Sequence, residues 1–273
     1  MTSPDQTTVT DDDFERTVRY WRDLQELLCT RREDFRWGTA YLDEAFPMRH
    51  DANHLWIEDP APDATTADLV AEADRILGGA GRPHRKVIVA REDYGAAWSM
   101  GFAERGYGIS RILTMAMGPE PGEVVDTSGV EVVGFADARG VIETVNAREP
   151  YGTQEVVRQL TDYHGKLERE LGCRFYVARV DGEVAAFCEL YGLGSIAQVE
   201  DVNTLEEFRG RGLARAVVSA AVRDARADGA DLIFLYADAD DWPQHLYARL
   251  GFRPLGNSLE YGLEGTSARG ATA

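Results

Sequence analysis

The sequence predicts an α/β protein built from two similar halves. Three observations predict it. Strand-like and helix-like segments alternate through residues 130–263, each bounded by a turn signal. The same pattern recurs 145 positions earlier in the chain. A turn-rich, acidic stretch, Gly118 to Gly122 and on to Ser128-Gly129, divides the chain near its middle. With 273 residues, 44% of them hydrophobic, the chain can fill two cores of roughly 100–150 residues each. The expected domains are 14–118 and 130–263, joined by a linker at 119–129, with flexible tails at 1–13 and 264–273.

In the second half, Val130 to Val133 is a short apolar strand, and Asp137 opens a helix running to Asn146. Thr153 to Leu171 is a second helix, with Val156, Val157, Leu160, Tyr163, Leu167 and Leu171 on one face. Cys173 to Val180 and Glu183 to Leu190 form a hairpin, because Asp181-Gly182 supplies the positive φ that a two-residue turn needs. Ile196 to Thr204 is a third strand. Gly210 to Asp228 is a helix that Gly229 can close with a left-handed cap. Asp231 to Tyr236 is a buried-type strand, Trp242 to Leu250 a short helix stopped by Gly251, and Phe252 to Leu263 a closing strand.

At the offset of 145, Lys86–Asp93 falls on Asp231–Asp238, and Phe102–Tyr107 on Tyr247–Phe252. Asp68–Leu77 falls on Leu213–Val222, and His54–Asp59 on Val199–Thr204. An ungapped match over four elements indicates a duplicated unit. The copies differ where chemistry would sit: Arg209–Ala214 corresponds to Ala64–Leu69, which has no glycine and carries acid, and Tyr247 corresponds to Phe102. The first half then has a structural or substrate-shaping role.

The net charge of −18 argues against nucleic acid or an anionic membrane as partner and suits a cationic substrate, although acidity is also common among soluble proteins. Cys29, Cys173 and Cys188 show no C-x-x-C spacing, so neither a disulfide framework nor a zinc site is expected. The polar start of the chain does not read as a signal peptide, and no run approaches the roughly 18 apolar residues of a membrane span. A cytoplasmic protein is expected.

Arg209-Gly210-Arg211-Gly212-Leu213-Ala214 lies between a strand and a helix. Its glycines let backbone N–H groups converge beside a helix N-terminus, and Arg209, Arg211 and Arg215 add positive charge. Neither Gly-Lys-Ser/Thr nor G-x-G-x-x-G is present. Taken alone, the segment reads equally as an anion site or as a turn before an ordinary helix. With Leu246-Tyr247-Ala248-Arg249-Leu250-Gly251-Phe252 beside it, the second half resembles the GNAT acetyltransferase superfamily: Arg209, Gly212 and Ala214 meet R/Q-x-x-G-x-G/A, and the second stretch looks like the family's L-Y-x-x-x-G-F. The pattern departs at Asp240, where Asn is usual, and at Pro243, where Ala is usual. The first half looks like a degenerate copy.

The resemblance implies a tandem GNAT-like fold with a mixed, mostly antiparallel sheet flanked by helices. It implies an acetyl-CoA-dependent N-acetyltransferase acting on a primary amine of a small molecule, with no metal. Backbone groups of Val202, Asn203 and Thr204 would hold the pantetheine arm, the loop 209–214 the pyrophosphate, and Asp240 would flank the cofactor. Tyr247 would protonate the departing thiolate. An alkylamine is mostly protonated at neutral pH, so a base is useful, and Glu200 is the first choice, with Asp201 and Glu189 as alternatives. A protein or peptide acceptor and a non-catalytic acyl-CoA sensor stay open, as do a monomeric pseudo-dimer and a homodimer. His245 lies on another helix face from Tyr247. His50 and His54 are not expected to bind metal, because Pro47 and Leu55-Trp56-Ile57 indicate loop and strand. Trp37, Tyr41, Asn53 and Trp56 are candidates for pocket or core, and Glu149, Pro150 and Tyr151 stand where the superfamily commonly builds an acceptor pocket.

Overall fold

The computed structural model describes residues 6–119, 122–150 and 152–264, with side chains from Asp12 onward. Tyr151, Glu120, Pro121 and most of the two expected tails lie outside the described residues. The chain forms two compact units. Of the described residues, the first holds those within 6–114, 238–240 and 256–264, and the second those within 115–119, 122–150, 152–237 and 241–255.

The first unit begins with helix α1 (Gln6–Leu28), so residues 6–13 are helical where a frayed tail is expected. Phe14, Thr17, Val18, Leu24, Gln25 and Leu28 are buried, and their positions fall on one face of the helix. Strands β1 (Arg31–Phe35), β2 (Gly38–Leu42) and β3 (His54–Ile57) pair antiparallel in turn. β3 then pairs parallel with β4 (Arg85–Val89) through helix α2 (Thr66–Ala73) and a wider π turn at Asp74–Gly78. Helices α3 (Glu92–Gly95) and α4 (Ser99–Glu104) lead into β5 (Gly108–Met117).

The core of this unit centres on Leu55, Ile57, Leu69, Ile76, Val87, Val89 and Phe102. Each such side chain contributes roughly 1.5–3 kcal/mol by leaving water. Two more members, Leu259 and Tyr261, come from the far end of the chain, and Tyr261 stacks on Phe102 at 4.1 Å. They lie on β11 (Phe252–Leu263), whose residues Leu259–Leu263 run antiparallel to β4. The sequence places 256–263 with the second domain, whereas the described structure counts them in the first unit. Only long-range pairing and the ring contact decide this, and neither leaves a local signal.

The second unit has strand order β6 (Val130–Val133), β7 (Arg174–Val180), β8 (Glu183–Leu193), β9 (Ile196–Thr204), β10 (Leu232–Asp238). The first three junctions are antiparallel and the last is parallel, which repeats the antiparallel-then-parallel scheme of β1 to β4. Asp181 and Gly182 both have positive φ, 51° and 87°, as the hairpin turn requires. Helix α5 (Phe135–Arg148) starts two residues before the expected Asp137. Helix α6 (Gln154–Leu171) is capped by Thr153, whose hydroxyl accepts from the N–H of Val156. Helix α7 (Leu213–Ala227) is followed by Gly229 at φ 90°, and α8 (Pro243–Arg249) by Gly251 at φ 98°.

The repeat is real in its elements and shifted at one of them. α4 and α8 correspond at the offset read from the sequence. The strand does not. Parallel pairing sets Leu55 opposite Val87 and Ile196 opposite Leu232, so Leu55 occupies the place of Ile196 and not that of Glu200. An ungapped comparison cannot register a shift of this kind.

Candidate active site

The second unit gathers the predicted residues around the end of β9. β9 and β10 pair from Ile196–Leu232 to Gln198–Phe234, yet they run on to Thr204 and Asp238. The strands part there, and backbone groups beyond Gln198 are released from that ladder. On its other side β9 is irregular: Glu200 stands opposite Glu189 and Asn203 opposite Phe187, so Asp201 and Val202 together face Cys188. This is a β-bulge. Asp201 adopts φ 49°, a left-handed conformation unusual for a non-glycine residue inside a strand and of the kind retained at functional sites. Its carboxylate Oδ1 accepts from the Asn203 amide at 2.6 Å. Thr204 Oγ1 is buried with no hydrogen-bond partner among the described residues, an unmet donor beside the opened strand edge.

The loop that follows is preformed. Gly210 and Gly212 have φ of 78° and 80°, and Gly212 is the N-cap of α7 with no side chain bonded to the helix end. The first N–H groups of α7, those of Leu213, Ala214 and Arg215, therefore meet no side-chain cap among the described residues, and the helix dipole adds to their pull on an anion. Arg209 and Arg211 make no ion pair among the described residues; Arg209 Nε donates to the carbonyl of Thr204 at 3.3 Å, and Arg211 lies over the Phe208 ring at 5.4 Å. Arg215 is held by Glu123 at 2.5 Å. The whole arrangement fits a phosphate group.

Tyr247 projects from α8 into this unit and is buried. Desolvation raises its hydroxyl pKa well above the ordinary value, and the charges of Glu200, Cys188 and Asp201 add to the effect. Those neighbours place Tyr247, Glu200 and Asp201 in one electrostatic environment. Glu200 is itself held by a short hydrogen bond from Gln198 Nε2. Asp240, by contrast, is counted with the first unit, and its carboxylate pairs with Arg111 at 3.2 Å. The structure does not join it to the other candidates.

One residue is missing from the sequence prediction. His164 on α6 is buried and makes a short hydrogen bond through Nδ1 to Glu189, which is itself 1% exposed; its Nε2 lies 3.7 Å from Asp201 Oδ2. In the sequence His164 falls four residues after Leu160 and seven before Leu171, on the apolar face of an amphipathic helix, a position that reads as core. Of the other pocket candidates, Trp37, Tyr41 and Trp56 line a cavity of about 360 Å³ in the first unit, whereas Asn53 bonds to Asp43 and Arg82 in the interior. His50 stacks on His84 at 3.8 Å.

A sheet of antiparallel strands that opens at one parallel junction, a glycine-rich turn into a helix and a buried tyrosine thus come together in the second unit. Comparison with known proteins identifies the class. Residues 140–252 match the acetyltransferase (GNAT) family. No curated protein matches the chain in sequence. Among solved structures, a GCN5-related N-acetyltransferase from Kribbella flavida is similar over 90% of this chain and 94% of its own, with 20% identity and a TM-score of 0.61. A functionally unknown conserved protein from Staphylococcus epidermidis ATCC 12228 covers 86% and 94%, with 14% identity and a TM-score of 0.67. A tandem GNAT protein from the clavulanic acid biosynthesis pathway covers 83% and 78%, with 17% identity and a TM-score of 0.52. At these identities the structural likeness shows the fold. Residues 140–252 thus form an acetyltransferase domain of the GNAT type.

Proposed function

We propose that the protein transfers an acetyl group from acetyl-CoA to a primary amine of a small molecule, with the reaction confined to the second unit. The observation that carries this reading is the uncapped N-terminus of α7 opening beside the gap between β9 and β10. The pyrophosphate is held by Arg209, Gly210, Arg211, Gly212, Leu213 and Ala214, and the pantetheine arm by the backbone of Val202, Asn203 and Thr204. The unmet Thr204 hydroxyl supports that fit. The carboxylates at the bulge, Glu200 first and Asp201 beside it, attract the ammonium group and remove its proton. Attack of the neutral amine on the thioester carbonyl forms the amide bond and breaks the C–S bond. Tyr247 gives its proton to the departing thiolate, and burial keeps that hydroxyl protonated at neutral pH. The tandem neighbour and the repeated strand scheme support a first unit descended from the same fold that has lost its site. Two such units in one chain favour a single 30.2 kDa species on light scattering.

Titration calorimetry with acetyl-CoA tests the reading. Wild type binds one equivalent, and Gly212→Glu loses binding by at least 100-fold, because the new carboxylate repels phosphate and φ 80° strains any side chain. A folded wild-type protein that binds no acetyl-CoA at millimolar concentration overturns it.

A further inference from the structure

The reaction frees a proton from each ammonium group, and the site holds a buried route for it. His164 stands between two carboxylates: Nδ1 is bonded to Glu189 on β8, and Nε2 faces Asp201 on β9. The three donor and acceptor atoms lie within 4.8 Å of one another. Exposure is graded along the row. The Asp201 side chain is 29% exposed, His164 is 6% and Glu189 is 1%. A carboxylate that meets solvent, an imidazole behind it and a second, fully buried carboxylate behind that form an ordered line from the cleft into the sheet. Asp201 Oδ1 accepts from Asn203, and Oδ2 lies 3.7 Å from the ring Nε2. The bulge is what makes this possible, since it turns Asp201 out of the strand's regular alternation.

We propose that His164 is the proton relay of this enzyme, taking through Asp201 the proton that the acceptor ammonium loses. The inference rests on the transferase reading above. The N–H bond of the ammonium breaks with its electron pair left on the amine nitrogen as the proton passes to Asp201 Oδ2, and the proton moves on to His164 Nε2, whose lone pair forms the new N–H bond. The imidazolium is balanced by Glu189, which accepts from Nδ1–H. After transfer the proton returns through Asp201 to solvent, so the net reaction consumes nothing from the relay. In this refinement Asp201 takes the proton that the reading above gives first to Glu200, and Glu200, held by Gln198, orients the ammonium group as its counter-charge. His164 acts through Asp201 and is a positioning residue. The other titratable groups around the row are Cys188 on β8, Glu200 on β9, Tyr247 on α8 and Lys166 on the helix of His164 itself. The Cys188 thiol is held well above its ordinary pKa by burial, with Glu189 and Asp201 adding to it, so it stays protonated and does not compete.

The decisive experiment is ring-nitrogen NMR on the full chain labelled with ¹⁵N-histidine, the His164 signals being identified by their loss in His164→Gln. Between pH 5 and 9 the expected result is Nδ1 protonated throughout and Nε2 gaining and losing a proton. Asp201→Asn should move that titration to lower pH by at least half a unit, because a nearby carboxylate favours the imidazolium. A ring that never titrates, or one whose titration ignores Asp201→Asn, overturns the relay. For an amine that wild type acetylates, His164→Gln should lower kcat at least 10-fold at pH 7 with acetyl-CoA affinity unchanged, and the deficit should shrink as pH rises and the amine deprotonates unaided. An unaltered pH profile of kcat/KM also overturns it. Failure of wild type to bind acetyl-CoA would sink the transferase reading instead, and the NMR result would still decide whether His164 carries a proton for Asp201.

Discussion

The N-termini of α2 and α7 begin from the same architecture and end in opposite states. Both helices follow a strand that pairs parallel with the next. At α2 the end is filled by the protein itself: Thr65 Oγ1 accepts from the N–H of Asp68 at 3.2 Å, and Asp68 Oδ2 accepts from the N–H of Thr65 at 3.0 Å. This is a complete capping box. At α7 the cap is a left-handed glycine with no side chain to offer, and the third helical position is Arg215. The first unit supplies its own anion, and the second leaves the place for one. On the function proposed above, a threonine and an aspartate that stabilise the helix end would close such a site without loss of fold. The cost of keeping α7 open is the stabilisation that such a cap would give, about 1 kcal/mol.

The largest expected effect separates the two short helices that also correspond, α4 and α8. Phe102 is fully buried and stacked on Tyr261, while Tyr247 sits near Glu200 and Asp201. Tyr247→Phe makes the second helix like the first. Loss of the proton donor should reduce kcat about 100-fold, the usual scale of general-acid catalysis, with the dissociation constant of acetyl-CoA unchanged. An unchanged kcat would mean that Tyr247, like Phe102, serves packing alone.

Much of this contrast was legible in the sequence. The missing glycine of Ala64–Leu69, the acid within it and the Phe102–Tyr247 pair all show in a simple offset. The hairpin was fixed by Asp181-Gly182, and helix ends by Thr153, Gly229 and Gly251, because turns and caps are local chemistry. Three features were not legible. The bulge at Asp201 is imposed by the register of β8 and β9, and no glycine announces its positive φ. The place of Tyr261 in the first unit depends on pairing with a strand some 170 residues earlier in the chain. His164 lay on an apolar face, where only its partners from two other strands distinguish it from a core residue.

The buried histidines sharpen the comparison next. His164 is flanked by two carboxylates, whereas for His54 and His84 in the first unit the charge of Asp51 is too small a cause to offset burial. Burial depresses both pKa values to about 3, with Lys86 the next cause for His54 and His50 for His84. Unfolded, each would titrate near 6.5. The folded chain therefore binds fewer protons than the unfolded one between these values, and stability that is complete above pH 6.5 is lost as pH falls toward 3. Between pH 7 and pH 5 each histidine should lower the unfolding free energy by roughly 2 kcal/mol. Urea midpoints at the two pH values check this, and His54→Leu should reduce the difference. Equal midpoints at pH 7 and 5 would mean that these rings titrate normally in the folded chain.

The smallest effect returns to the capped helix. Thr65→Ala removes the hydroxyl that accepts from Asp68 N–H and also contacts Asp68 Oδ2 at 2.6 Å, so one backbone donor and the carboxylate's own anchor are lost together. N-cap substitutions of this kind cost about 1 kcal/mol, which should appear as a lower urea midpoint of the first unit. Acetyl-CoA binding should not change, because nothing in the proposed site draws on α2. If Thr65→Ala instead weakened binding as strongly as a change in the 209–214 loop, the two helix ends would not be a spent and a working copy of one device, and the first unit would have to be counted in the site.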